Sequence, residues 1–146
     1  VSDFVFLKQK GVDTIINLEY IFSVKKTLIK KYGIEEHRFP LLPLPRIPSF
    51  FDFETLKKSF KKTIEEVKKG KTVYIHCIQG SDRTGILSSA LMIRNRVCQN
   101  SEYDRNALSE EISSTLDSYS FHSFLFPTLR RIVLSWTQDT PSWICQ

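Results

Sequence analysis

One short stretch of the chain concentrates residue types that do chemistry. The segment from His76 to Gly85 reads HCIQGSDRTG and holds one of the three cysteines and two of the five glycines. Cys77 stands six positions before Arg83. A thiolate is a nucleophile, and a guanidinium holds two phosphate oxygens at once without losing its proton. The spacing predicts phosphate chemistry, with Cys77 as the nucleophile and Arg83 as the ligand of the phosphate.

The residues around this pair fit a phosphate-binding loop. A hydrophobic run, TVYIHC, ends at the cysteine, and a helix is expected to begin near Thr84. Backbone N–H groups of such a loop, together with a helix N-terminus, bind anions and favour the thiolate form of a cysteine. We expect Thr84 to hydrogen-bond the sulfur and His76 to hold the loop. The predicted phosphate-binding positions are Ile78, Gln79, Gly80, Ser81, Asp82 and Arg83.

The motif HC-x-x-G-x-x-R-T-G resembles the signature of the cysteine-dependent protein tyrosine phosphatase superfamily. The order of elements outside the motif resembles the compact dual-specificity-like branch of that superfamily. The resemblance implies an enzyme that works in two steps: Cys77 takes the phosphoryl group, and water then releases it. It implies neither a cofactor nor a metal.

Two aspartates are candidates for the general acid that protonates the leaving group. Relatives carry this acid on a separate loop, where the nearest candidate is Asp52, which also suits the N-cap of a helix that starts at Phe53. Asp82 adjoins Arg83, and this DRT ending resembles lipid-phosphatase branches in which an acid precedes the arginine. Asp82 is therefore either the proton donor or a carboxylate that braces the loop.

The resemblance favours phosphotyrosine or mixed phosphoprotein substrates. Positions 78, 79 and 81 of the loop carry no lysine, which weakens the case for a polyphosphorylated substrate. A phosphoinositide or inositol phosphate phosphatase is the alternative, because the DRT ending and the basic surface both suit it. A module that binds phosphate without turnover is a further alternative, although Cys77 and Arg83 are both intact.

The elements that must position these residues alternate between strands and helices. Strands are predicted over 12–17, from 37 onward and over 72–77, and helices over 3–10, 21–32, 52–69, from 84, over 105–116 and over 121–136, where Pro127 splits or starts a helix. This order predicts an α/β fold with a central, mostly parallel sheet flanked by helices. We expect a single phosphatase-like domain over 1–146 that lacks its N-terminal strand or strands.

The composition is that of an ordinary globular chain, with 146 residues, 41% apolar and 25% charged. No apolar run approaches the roughly 20 residues of a membrane span. The net charge of +5 comes largely from lysine pairs, which fit solvated helix faces or a field that steers anionic substrates or acidic lipid. This charge is compatible with a peripheral membrane contact. The sequence contains no nucleic-acid-binding motif, so a nucleic-acid partner is not expected. The three cysteines argue against a disulfide or zinc framework and for the cytoplasm.

Overall fold

The chain folds into two compact units. The computed structural model describes residues 2–21, 23–42, 44–45, 47–77 and 81–146. Val1–Leu42 and Phe53–Ile78 form the first unit, and Pro43–Asp52 and Gln79–Gln146 form the second. Each unit has its own architecture and is described by itself below.

The first unit is built on a parallel sheet. Its elements are α1 (Ser2–Gln9), β1 (Thr14–Asn17), α2 (Lys26–Tyr32), β2 (Glu35–Arg38), α3 (Phe53–Lys68) and β3 (Val73–His76). The three strands that the described residues form lie in the order β2-β1-β3, and Asn17 of β1 is level with Arg38 of β2 and His76 of β3. The predicted α/β fold with a parallel sheet is confirmed.

The apolar core of this unit forms where α1 and the sheet meet. Leu7, Val12, Ile15 and Ile34 are buried together, and all four residues of β1 are buried. Gly33 ends α2 with a φ of 64°, a left-handed conformation that glycine adopts without steric cost. The sequence predicts a helix stop at Gly33, since glycine is typical of the position after a helix, and this stop is confirmed.

The helix predicted from residue 21 is wrong in its first half, because α2 begins only at Lys26. The backbone N–H of Val24 donates to Oε2 of Glu36 at 3.0 Å, and that of Ile21 donates to Oε1 of Glu19 at 3.3 Å. Carboxylate side chains therefore bind N–H groups of the segment before α2, and Lys25 at the end of that segment is extended, with a ψ of 124°.

The buried face of α3 differs from the apolar stripe that helical spacing predicts, namely Phe53, Leu56, Phe60, Ile64 and Val67. Val67 is 55% exposed, and the buried residues include Ser59, Thr63 and Glu66. Ser59 Oγ donates to the carbonyl of Leu56 at 2.7 Å, and Thr63 Oγ1 donates to that of Ser59 at 2.8 Å. Both hydroxyls satisfy their hydrogen bonds within the helix, so burial leaves them paired.

The described part of the second unit is helical. A 3-10 turn (Pro48–Phe50) precedes α4 (Asp82–Val97), α5 (Arg105–Ser118), α6 (Pro127–Gln138) and α7 (Ser142–Cys145). α4 packs against α5, α6 and α7, and Pro127 starts α6 rather than splitting it. The carboxylate of Asp104 caps α5 by accepting from the N–H groups of Asn106 and Ala107. Among the described residues, no helix combines the length and apolar character that crossing a membrane requires.

The expectation that the cysteines form no disulfide is wrong. Cys98, which follows α4, is disulfide-bonded to Cys145 at the end of α7, and this bond does not involve Cys77. The two partners lie 47 positions apart in sequence, so only the packing of α7 onto α4 brings them together. Nη1 of Arg94 strengthens the same junction by donating to the carbonyl of Ile144 at 2.7 Å.

Candidate functional site

The predicted nucleophile follows directly after β3. Cys77 is buried, with 3% of its surface exposed. The ring of His76 stacks on that of Tyr74 with 6.3 Å between the centroids. His76 also lines an apolar cavity of about 290 Å³ together with Phe4 and Leu7. These contacts give His76 a packing position beside the cysteine, and its role in holding the loop stays a prediction.

The residues of the signature from Ser81 onward lie at the start of α4. Ser81 holds the N-cap position, its carbonyl accepts from the N–H of Gly85 at 2.9 Å, and Asp82 is the first residue of the helix. The side chains of Arg83 and Thr84 are buried, at 6% and 4% exposure. The first turn of α4 therefore brings Asp82, Arg83 and Thr84 together at a helix N-terminus, which carries a partial positive charge.

Part of the predicted loop lies outside the described residues, namely Ile78, Gln79 and Gly80. Gly85, the last residue of the signature, lies inside α4 and has no positive φ. A Cβ at this position would stand 3.6 Å from both Leu116 Cδ2 and Tyr119 Cβ. These are ordinary van der Waals distances, so the packing of α4 against the end of α5 leaves room for a Cβ at this position.

Asp82 has a partner that the sequence did not indicate. The backbone N–H of His122 donates to Oδ1 of Asp82 at 2.9 Å. The ring Nδ1 of His122 lies 3.0 Å from Oδ1 and 2.9 Å from Oδ2. Both carboxylate oxygens are thus in contact with one histidine, 40 positions along the chain. No local pattern around His122 marks this contact.

The turn between α5 and α6 gives His122 its place. Ser120 has a φ of 57°, an uncommon left-handed conformation for a residue with a side chain. Its neighbour Phe121 is buried and donates its N–H to the carbonyl of Leu116 at 2.9 Å. The chain therefore turns sharply after α5 and presents the next residue to Asp82.

The other candidate acid, Asp52, lies immediately before the first residue of α3 and is exposed. This position is the one that a helix cap occupies. Its role as cap or as acid stays a prediction.

A separate cluster of ionisable groups connects β2 and α3. Ligand atoms of Glu35, His37 and Glu66 lie within 4.8 Å of one another. Lys62 and Lys71 stand 2.9 Å and 3.0 Å from the carboxylate oxygens of Glu66. Hydrogen bonds from these two lysines lower the pKa of Glu66 to about 2. The ammonium groups already supply the cations that these carboxylates need, so the arrangement fits an ion-pair network better than a metal centre.

The fold resembles that of solved phosphatases. The active form of Tk-PTP is 20% identical, with a TM-score of 0.58 over 97% of this chain and 88% of that chain. The core catalytic domain of the PP-IP phosphatase SIW14 from S. cerevisiae, in complex with citrate, is 16% identical, with a TM-score of 0.60 over 95% of this chain and 74% of that chain. P. aeruginosa TpbA is 14% identical, with a TM-score of 0.55 over 96% of this chain and 74% of that chain. At these identities the likeness shows the fold alone.

A comparison with curated proteins gave no match. The family model for Tc-R-P, described as "Polymorphic toxin system, DSP-PTPase phosphatase", matches residues 1–96 of the 146. The match ends inside α4 and includes the whole segment from His76 to Gly85. The chain therefore belongs to the Tc-R-P family of DSP-PTPase phosphatases.

Proposed function

We propose that this protein hydrolyses phosphate monoesters through a covalent phosphocysteine on Cys77. The observation that carries the proposal is the signature in its structural setting, with Cys77 at the carboxyl end of a parallel strand and Arg83 in the first turn of the next helix. Ligands of open α/β sheets bind beyond the carboxyl ends of strands. Membership of a phosphatase family supports the same chemistry.

The proposed roles follow from the chemistry of each group. The thiolate of Cys77 attacks phosphorus, and the guanidinium of Arg83 binds two phosphate oxygens and follows them through the transition state. The hydroxyl of Thr84 hydrogen-bonds the sulfur and so helps the thiolate to leave in the second step. Asp82 takes part in the protonation of the leaving group.

We propose phosphotyrosine or mixed phosphoprotein substrates. The absence of lysine from positions 78, 79 and 81 supports this choice over a polyphosphorylated substrate. A phosphoinositide or inositol phosphate is the second candidate, since one protein of similar fold is named a PP-IP phosphatase. The family description names polymorphic toxin systems, and we propose that this chain contributes phosphatase activity to such a system.

The test is a substrate panel. Wild type and Cys77→Ser are assayed side by side on a phosphotyrosine peptide, a phosphoserine peptide, a phosphothreonine peptide and an inositol phosphate. We expect hydrolysis of the phosphotyrosine peptide by wild type, inhibition by vanadate, and no turnover by Cys77→Ser. Hydrolysis that survives in Cys77→Ser rules out the phosphocysteine. A wild type that binds the peptides without turnover favours the binding module.

The place of action stays a prediction. The sequence favours the cytoplasm, whereas the disulfide between Cys98 and Cys145 is a bond that oxidising compartments preserve. Reactivity of these two cysteines toward an alkylating reagent, measured on protein taken from each compartment, distinguishes the two settings.

A further inference from the structure

The contact between Asp82 and His122 brings a carboxylate oxygen within 2.9 Å of an imidazole nitrogen. A carboxylate beside a histidine holds the ring in one orientation and leaves its other nitrogen to exchange a proton. Both oxygens of Asp82 already face donors on His122. This geometry suits a carboxylate that orients a donor.

The carboxylate also fixes which ring nitrogen is available. Nδ1 of His122 is held by Asp82, and among the described residues the ring makes no hydrogen bond through Nε2. The side chain of His122 is 44% exposed, against 22% for Asp82. Nε2 can therefore meet a bound molecule and can take up a new proton from water after each turnover.

The backbone around His122 is fixed on both sides. Its N–H donates to Asp82, and its carbonyl accepts from the N–H groups of Leu125 and Phe126, each at 3.0 Å. The buried ring of Phe121 packs edge-to-face on that of Phe126, with 6.3 Å between the centroids. A proton donor needs such a support, because misplacement by about 1 Å costs much of the rate.

We propose that His122 is the general acid of the reaction and that Asp82 is the residue that positions it. This inference rests on the proposed phosphatase function. In this proposal the carboxylate of Asp82 orients the ring of His122. The proton that the leaving group receives then comes from a residue outside the signature.

The proposed step balances as follows. Sγ of Cys77 bonds to phosphorus while the bond from phosphorus to the leaving oxygen breaks. The electron pair stays on that oxygen, which takes the proton from Nε2 of His122. In the second step the oxygen of water bonds to phosphorus, the phosphorus–sulfur bond breaks to restore the thiolate, and Nε2 accepts the proton of that water.

Charged groups from three helices contact His122, contact its neighbour Ser123, or pair with the group that contacts Ser123. Asp82 of α4 contacts the ring directly. Arg130 of α6 donates to Oγ of Ser123 at 2.9 Å and stands 3.2 Å from Asp117 of α5. Asp117 pairs with Arg130. Within the described part of the chain, Asp82 is therefore the charged group that contacts the ring of His122 and sets its orientation.

The test compares leaving groups. The substrates are p-nitrophenyl phosphate, whose leaving group needs little protonation, and phenyl phosphate, whose leaving group needs more. His122→Asn keeps an amide N–H that can still donate to Asp82 but removes the transferable proton. We expect kcat/KM of His122→Asn to fall by about 100-fold or more on phenyl phosphate and by less than about 10-fold on p-nitrophenyl phosphate.

The pH profile gives a second readout. On phenyl phosphate, kcat/KM of wild type should fall toward alkaline pH, as a rate that needs a protonated general acid does, and His122→Asn should lack this fall. His37→Asn is the matched control, since His37 also faces a carboxylate, Glu35, at 3.4 Å but lies on β2, outside the signature. It should behave as wild type does. Retained turnover of p-nitrophenyl phosphate shows that each variant is folded.

Two results overturn the inference alone. In the first, His122→Asn loses equal factors on both substrates, which indicates a structural role. In the second, Asp82→Asn shows the loss that depends on the leaving group while His122→Asn does not, which makes Asp82 the donor. A wild type whose hydrolysis equals that of Cys77→Ser overturns the proposed function, and the assignment of His122 with it.

Discussion

At the scale of single residues, the arginine of the signature combines charge with shape. Arg83 is the second residue of α4, and its side chain is buried at 6% exposure. A guanidinium presents parallel N–H groups that match two oxygens of a phosphate, whereas an ammonium is a compact point charge. The proposed role of Arg83 therefore depends on the fork as well as on the charge.

Replacing Arg83 by lysine separates these two contributions. We expect Arg83→Lys to keep the charge and to lose about 100-fold or more in kcat/KM on p-nitrophenyl phosphate, since the paired contact is lost. Arg96→Lys is the control on the same helix, because Arg96 makes its own forked contact with Glu111, at 3.2 Å and 2.7 Å to Oε1. Near-normal turnover of Arg83→Lys would contradict the proposed role.

The residues of the signature could be identified from sequence because their spacing is local. Cys77 and Arg83 lie six positions apart between a strand and a helix, and chemistry constrains that interval. His122 could not be found this way. Its contact with Asp82 joins residues 40 positions apart, and hydrophobic periodicity carries no information about such a pair.

At the scale of elements, a buried carboxylate of α3 belongs to an ion-pair network that extends to β2. The side chain of Glu66 is 1% exposed and faces Lys62, Lys69 and Lys71. Lys71 also stands 3.0 Å from Glu35 of β2. Hydrogen bonding to Glu66 and Glu35 raises the pKa of Lys71, and Lys71 in turn lowers the pKa of Glu35.

This network should give the fold a defined acid dependence. The pKa of Glu66 falls from its ordinary value of 4.5 to about 2 in the folded protein, so its stabilisation is present above pH 4.5 and is lost as the pH falls toward 2. We expect Glu66→Gln to lower the urea midpoint at neutral pH, and the difference from wild type to shrink across this window.

The control is Glu65→Gln on the same helix. The side chain of Glu65 is 48% exposed and reaches Lys62 only at 3.9 Å, so its removal should change the urea midpoint little at any pH. An effect of Glu66→Gln that stays constant from neutral to acid pH would argue against the ionised network.

The disulfide is the second element-scale prediction. The double variant Cys98→Ala with Cys145→Ala should lower the free energy of unfolding by about 2–4 kcal/mol, because the unfolded chain regains freedom between the two positions. A reductant should bring the midpoint of wild type down to that of the double variant and leave the double variant unchanged. Equal midpoints for wild type and double variant without reductant would show that the bond adds no stability.

Element types were more predictable than the faces they bury. Glycine stops and the apolar run 12–17 predicted the end of α2 and the site of β1, because these signals lie within the element. The buried face of α3 was not predicted. Glu66 is buried because Lys62 of α3 and Lys71, which follows the helix, pair with its carboxylate, and an apolar stripe does not reveal such pairs. Among the described residues β3 pairs with β1 alone and lies at the edge of the sheet. Its residues are therefore only partly buried or exposed, although its composition is apolar.

At the scale of the whole molecule, the net charge of +5 bears on association more than on the fold. Charges on a basic surface attract anionic substrates over a distance that salt shortens to about 10 Å at 0.1 M. The effect acts on the rate of encounter and needs no specific contact.

We expect kcat/KM for a phosphopeptide with acidic flanking residues to fall several-fold as ionic strength rises from about 0.02 M to about 0.5 M. The same phosphotyrosine between neutral residues is the control and should respond less. Equal responses of the two peptides would show that the lysine-rich faces do not steer the substrate.

The bond between Cys98 and Cys145 closes a covalent ring around α5, α6 and α7. A protease that nicks the chain anywhere inside this ring breaks the backbone without releasing a fragment. The nicked protein would keep its mass on a gel run without reductant and separate into two pieces only after reduction. His122 lies within the ring, so even a cut chain would retain it beside the helix that begins at Asp82.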